Sequence, residues 1–347
     1  MYAINECIRL YNVCDPALEI SGIFYFYDLF IIKERFIIMT TMENLLSEHN
    51  AIIQKIIAEA KKEVIGTTAS ASNINVGIGT SAPTINQNKT TVQTKLDLFS
   101  HISSNFDNLI KEKKDKNIMT PYGNPYNWPR NNNCWAKSID LTGYAGCIVP
   151  LGGVGGGTLI TKKHVLLANH VPYSASPFMI FFVNNNNVSL IYNVVKTKRI
   201  GDTDILIGEL DKEVDASLKV CNVLPANYLK YFNKETNFPI LYSDQERKAL
   251  VAEFGCNVYG NTQINIPKDN NRTQYFEPVI GGDSGNLVST IINNEVVLIG
   301  GLYMTLGGTG GISTSVPSYI NEVNNVISSL SSGYKVNEVD LSQFKMY

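Results

Sequence analysis

The chain carries little charge for its length. Of its 347 residues 17% are Asp, Glu, Lys or Arg, and the net charge is −2. A near-neutral chain has no basic footprint for nucleic acid or for an anionic membrane surface, so neither is expected as a partner. Long apolar runs are missing as well. The apolar stretch near the start, "ISGIFYFYDLFIIKERFII", is interrupted by Asp28 and by Lys33, Glu34 and Arg35. No unbroken run reaches the ~20 residues of a membrane-spanning helix. A basic start followed by a small-residue cleavage site is also lacking, which argues against a signal peptide. The six cysteines, at 7, 14, 134, 147, 221 and 256, form no CxxC pair and no Cys/His zinc spacing. No metal and no cofactor is therefore expected. Their scatter does not resemble a disulfide-stapled secreted framework, so a reducing, cytoplasmic setting fits better.

Apolar residues make up 44% of the chain, enough for a core of ordinary size in about two domains. Residues 1–41 read as a leader, and translation could begin at Met39 or Met42. Residues 42–120 read as a helical and linker region. Within it, Leu45, Ile52, Ile53, Ile56, Ile57, Ala60 and Val64 recur at helical spacing, and Gly66 can close that helix. A second helix fits 95–114, with Phe99, Ile102, Phe106, Leu109 and Ile110 on one stripe. Such helices could serve self-association. Between them "NINVGIGTSAPT", residues 73–84, reads first as a Gly/Ser/Thr-rich linker. Its centre, "NVGIGT" at 75–80, resembles a short motif of phage tail-fibre and adhesin proteins.

From about residue 134 short apolar runs alternate with Gly and Asn turns: "GCIVPLG", "FMIFFVNNNNVSLIYNVV", "TDILIGEL", "KALVAEF", "NLVSTIINNEVVLIGGLYM". This spacing predicts an all-β barrel or sandwich over residues 121–330, with a short amphipathic helix at 319–327 and a tail at 331–347.

Ser284 sits in "VIGGDSGNLV", where tight-turn residues surround a hydroxyl. Such a hydroxyl is a poor nucleophile until a base takes its proton. The chain has four histidines. His49 and His101 belong to the helical region. His164 follows two lysines and reads as a solvated turn residue. His170 ends the apolar strand Val165–Leu167, where a cleft can open. A base of this kind needs an orienting carboxylate. "GDTDILIGEL" offers Asp204, at the head of a buried strand, with Asp202 as the fallback.

The blocks "GGTLITKKHVLLANHV", "DTDILIGEL" and "GGDSGNLV" resemble the three signature segments of the chymotrypsin/trypsin-like serine peptidases, in the His, Asp, Ser order of that family. The resemblance covers about residues 134–330. It implies a mainly β fold of two packed antiparallel six-stranded β-barrels, preceded here by the helical region, with the site in the crevice between them. It implies a serine endopeptidase acting on a protein or peptide through His170, Asp204 and Ser284 and an acyl-enzyme, with the Gly282 and Ser284 N–H groups as oxyanion hole. It places Pro278 and Val279 at the base of the specificity pocket. Tyr303, Met304, Gly307 and Gly310 fall on the opposite wall. No carboxylate lies at that base, so a preference for an uncharged side chain is expected, unless a one-residue shift brings in Glu277. Val171 stands where secreted members have a disulfide cysteine, and Asn286 where a second glycine is usual. No activation sequence is visible, so a freed N-terminus pairing with Asp283 is not expected. The alternative is a phage or virion structural or attachment protein, virion-associated, whose peptidase domain processes itself or is inactive.

Overall fold

The computed structural model describes residues 95–111, 115–120, 128–149, 155–173, 176–233 and 236–347, all within the unit Thr90–Tyr347. The leader, the helix expected at 42–66, His49 and the 75–80 motif lie outside the described residues.

Two antiparallel β layers build this unit. The first has strands β1 (Ala145–Val149), β2 (Thr158–Leu159), β3 (His164–Ala168), β4 (Phe178–Val183), β5 (Ser189–Arg199) and β6 (Ile205–Leu210). They pair in the order β1-β4-β5-β6-β3-β2. Among the described residues its two edges meet at the single bridge between Tyr144 and Thr158, so this layer is a half-barrel sheet. The second layer contains β7 (Asn222–Val223), β8 (Pro239–Ser243), β9 (Ala249–Val258), β10 (Asn261–Asn265), β11 (Leu287–Ile292), β12 (Glu295–Thr305) and β13 (Gly310–Thr314). The run β11-β8-β9-β10-β13-β12 closes on itself through a β11–β12 pairing, making a six-stranded barrel, and the short β7 adds in parallel to β12. The mainly β expectation holds. Of the two expected six-stranded barrels the second closes and the first stays a half-barrel, because β2 is only two residues long and offers one rung to the far edge.

Burial explains why these segments become strands. All of β3, β6 and β11 is buried. Where β11 buries Ser289 and Thr290, their hydroxyls donate to the carbonyls of Leu241 and Pro239, which removes the cost of an unpaired polar group.

The barrel does not begin at 121. Helix α1 (Leu98–Ile110) is capped by Asp97, whose carboxylate accepts from Ser100 N at 2.7 Å. It buries Leu98, Ile102, Phe106 and Ile110, spaced by four, in the same core as β8 and β11. Leu98 takes the place expected for Phe99, which is only partly buried. The tail is also structural: Val336, Leu341 and Phe344 are buried, and Phe344 bridges in parallel to Leu96. Helix α2 (Ile320–Leu330) packs on β5 and β6 of the first layer although it follows the second in the chain. Phe106 is fully buried beside the Trp135 ring. Phe106→Ala is therefore expected to cost about 3–5 kcal/mol in denaturant unfolding; a loss below about 1 kcal/mol would return α1 to a separate region.

His164 is the second correction. It opens β3 facing inward and is fully buried. Its Nδ1 pairs with Thr161 Oγ1 at 2.8 Å and its Nε2 with Ser331 Oγ at 3.1 Å. The Tyr334 ring packs edge-on, and the charges of Glu209 and Lys163 act on the ring in opposite directions. Burial lowers its pKa from 6.5 to about 4. An unfolded chain protonates this histidine near 6.5, so between these values the unfolded state binds more protons and stability falls as pH drops. Comparing wild type with His164→Gln isolates this contribution from other titrating groups. Wild type should lose about 3 kcal/mol more than the variant between pH 7 and 4. Equal losses in the two would place the ring in solvent.

Among the described residues no helix is long and apolar enough to cross a membrane.

Candidate active site

The register of two strands brings the first pair together. β3 and β6 run antiparallel with Ala168 opposite Ile205. The chain beyond Ala168 therefore lies beside the chain before Ile205, and Asn169 N donates to Asp204 O at 2.9 Å. His170 and Asp204 emerge at the same sheet end. Asp204 Oδ1 accepts from His170 N at 2.7 Å, and its Oδ2 lies 2.8 Å from His170 Nδ1. The Asp204 side chain is only 7% exposed, whereas that of His170 is 44% exposed. A carboxylate so placed holds the Nδ1–H tautomer and leaves Nε2 as an acceptor. Asp202 is exposed, lines a cavity that Asp204 and Tyr303 also line, and makes no bond to His170 among the described residues.

Ser284 comes from the second layer. Its Oγ is 2.7 Å from His170 Nε2. The turn that presents it is tied on both sides. Gly155 N donates to Gly282 O at 2.8 Å, Gly156 N to Ser284 O at 2.9 Å, and Gly285 N to Leu302 O at 2.7 Å. Gly282 and Gly285 have φ of +102° and +74°, which a side chain would strain. A Cβ on Gly285 would also stand 2.7 Å from Gly156 O. The N–H groups of Gly282 and Ser284 have no acceptor among the described residues. Asp283 is buried, with Oδ1 taking Gln245 N at 3.0 Å and Oδ2 taking Ile280 N at 2.8 Å. Burial raises its pKa despite these donors.

A cleft of about 260 Å³ opens beside Ser284 and His170, lined by Val279, Ile280, Gly281, Leu302, Tyr303, Met304 and Thr305. The Tyr303 ring meets His170 edge-on at 6.0 Å. Of the expected pocket residues, Val279, Tyr303 and Met304 line this cleft and three do not. Pro278 is exposed outside it. Gly307 stands at the β12–β13 turn with open space around it, and Gly310 pairs with Asn265, where a Cβ would strike Ile264 O at 2.1 Å. Glu277 turns away to Lys116 and Lys248, at 2.6 and 2.8 Å; burial pushes its carboxyl up, but these two lysines together hold it below the ordinary value. Among the described residues no group of three or more His, Cys, Asp or Glu is placed to hold a metal.

The sequence reading missed the layer behind the turn. Asn286, which stands where a glycine is usual, is fully buried. Its amide donates to Asp283 O at 2.9 Å and its carbonyl accepts from Tyr144 Oη and, at 3.2 Å, from Arg247 Nη1. Gly156 backs onto it so closely that a Cβ would sit 2.2 Å from Asn286 Oδ1. In the sequence Arg247 is one charge among several in "SDQERKA", and nothing there marks it as buried.

No family model matches the chain, and no curated protein is matched. Among solved structures it is similar to a mutant of human heparin binding protein, at 13% identity over 56% of this chain and 95% of that one, with a TM-score of 0.43.

Proposed function

We propose that the chain is a serine endopeptidase of the chymotrypsin/trypsin-like kind. One observation carries the reading: Ser284 Oγ, both ring nitrogens of His170 and the Asp204 carboxylate form one line of contacts at 2.7 and 2.8 Å across the two β layers. In that line Nε2 takes the Oγ proton as Oγ attacks a peptide carbonyl. The carbonyl oxygen becomes an oxyanion held by the Gly282 and Ser284 N–H groups, each such donor worth about 10²–10³ in rate. The tetrahedral adduct collapses, His170 passes the proton to the leaving amine, and the Ser284 acyl-enzyme remains. Water, deprotonated by the same Nε2, then releases the acid. Asp204 stays ionised and keeps the ring in the productive tautomer.

The substrate is a polypeptide held in the cleft beside Ser284. Its walls are mostly apolar, with no charged side chain besides His170, and Glu277 is engaged elsewhere. Such a pocket selects by filled volume, at about 1–3 kcal/mol per methylene. A peptide library cleaved by the full chain is expected to show a modest preference for a medium or large uncharged residue before the scissile bond. No cleavage would reject the enzyme reading, and strong selection for Arg or Lys would reject the pocket.

A further inference from the structure

Arg247 occupies an unusual position. It is fully buried, and its backbone has φ +62°, a conformation that costs energy for most residues other than glycine and asparagine. It lies in the turn joining β8 to β9, which Asp244 closes by accepting from Glu246 N and Lys248 N. A turn with that backbone would be relaxed by glycine or asparagine. A large cation is retained there, and its side chain reaches inward.

What it reaches is the support of the nucleophile turn. Nη2 donates to Gly155 O at 3.1 Å. Nη1 donates to Asn286 Oδ1, Tyr144 Oη and Asp244 O, each at 3.2 Å. Gly155 in turn binds Gly282 O, and Asn286 binds Asp283 O. The fork geometry of a guanidinium suits this spread of acceptors, and a lysine could not reproduce it. Two residues before Arg247, the backbone N–H of Gln245 takes one oxygen of Asp283, while Ile280 N takes the other. Both oxygens of that buried carboxylate are thus engaged from within the same unit.

We propose that Arg247 is the positioning residue of the nucleophile turn, and that the β8–β9 turn holds residues 282–284 in their working shape without help from a free chain terminus. This rests on the peptidase reading above. Cleavage of the N-terminal region is then not needed to shape the turn.

The test compares wild type, Arg247→Met, Arg247→Lys and a full chain with an added N-terminal peptide. Arg247→Met is expected to lower kcat by about 10²-fold, the scale of a misplaced catalytic group, with KM for a short peptide little changed. The rate of serine-phosphonate inactivation should fall in parallel, and Arg247→Lys should lie between. A residue that only stabilises the fold would lower the melting temperature and leave kcat per folded molecule alone. Independently of turnover, amide exchange at Gly155 and Gly156 should rise by about tenfold or more relative to the barrel strands. If Arg247→Met does not fold, Arg247→Lys carries both readouts. The N-terminal addition should leave kcat unchanged. Wild-type kcat and exchange in the folded variants would overturn the proposal, as would loss of activity on N-terminal extension. A wild-type chain that neither cleaves nor labels would instead reject the peptidase reading, and the exchange comparison would still decide the role of Arg247.

Discussion

Ser284→Ala is expected to lower kcat by on the order of 10⁶, the scale seen when the nucleophile of a triad is removed. The fold should survive, because Ser284 is only partly buried and the change removes one oxygen at the cleft surface. The turn itself depends on backbone bonds of Gly155, Gly156 and Gly285, and none of them uses the Ser284 hydroxyl. His170→Ala should lose a similar factor, and the double variant should lose little more, since the two act on one proton transfer. Steady-state rates on a library-selected peptide, with melting curves as the folding control, give the comparison. Retention of most of the activity in Ser284→Ala would remove Ser284 from the chemistry.

Asp204→Asn is expected to cost about 10⁴ in kcat. The asparagine carbonyl can still accept from His170 N, as Asp204 Oδ1 does at 2.7 Å. Its amide, however, would donate to Nδ1 where Oδ2 now accepts. The ring proton must then move to Nε2, which can no longer accept from Ser284 Oγ. The geometry is kept and the tautomer is wrong. Asp202→Asn should be almost silent, because Asp202 is exposed and does not touch the ring. Full activity in Asp204→Asn with loss in Asp202→Asn would transfer the orienting role.

The His170–Asp204 pair was legible because strand physics fixes it, whereas Ser284, on the second layer, was joined to it by the family resemblance. An apolar strand ending just before His170 and another beginning just after Asp204 come side by side if they pair antiparallel, and they do. His164 was misread because two lysines precede it. His164 stands opposite Glu209 on β6, on a face that Ser331 and Tyr334 cover, and Lys163 reaches the buried Glu209 at 3.1 Å; charge beside a residue does not report its burial. The pocket was half legible. Counting back from Ser284 assumes a loop of one particular length, and only Val279 fell where the count placed it. Gly310 was placed on the pocket wall but serves the β10–β13 pairing. The boundary at 120 failed because α1 and the tail add to the barrel core through contacts far apart in sequence, as with Leu96 and Phe344. Arg247 was beyond reach for the same reason: its burial and its backbone strain exist only after β8, β9 and the turn before β11 have met.

The most direct test is labelling of the full chain with a peptidyl serine phosphonate carrying an uncharged residue, followed by mapping of the modified peptide. One equivalent of label on Ser284, absent from Ser284→Ala and strongly slowed in His170→Ala, is the predicted result. Label on another residue, or none on the folded wild-type chain, would contradict the account.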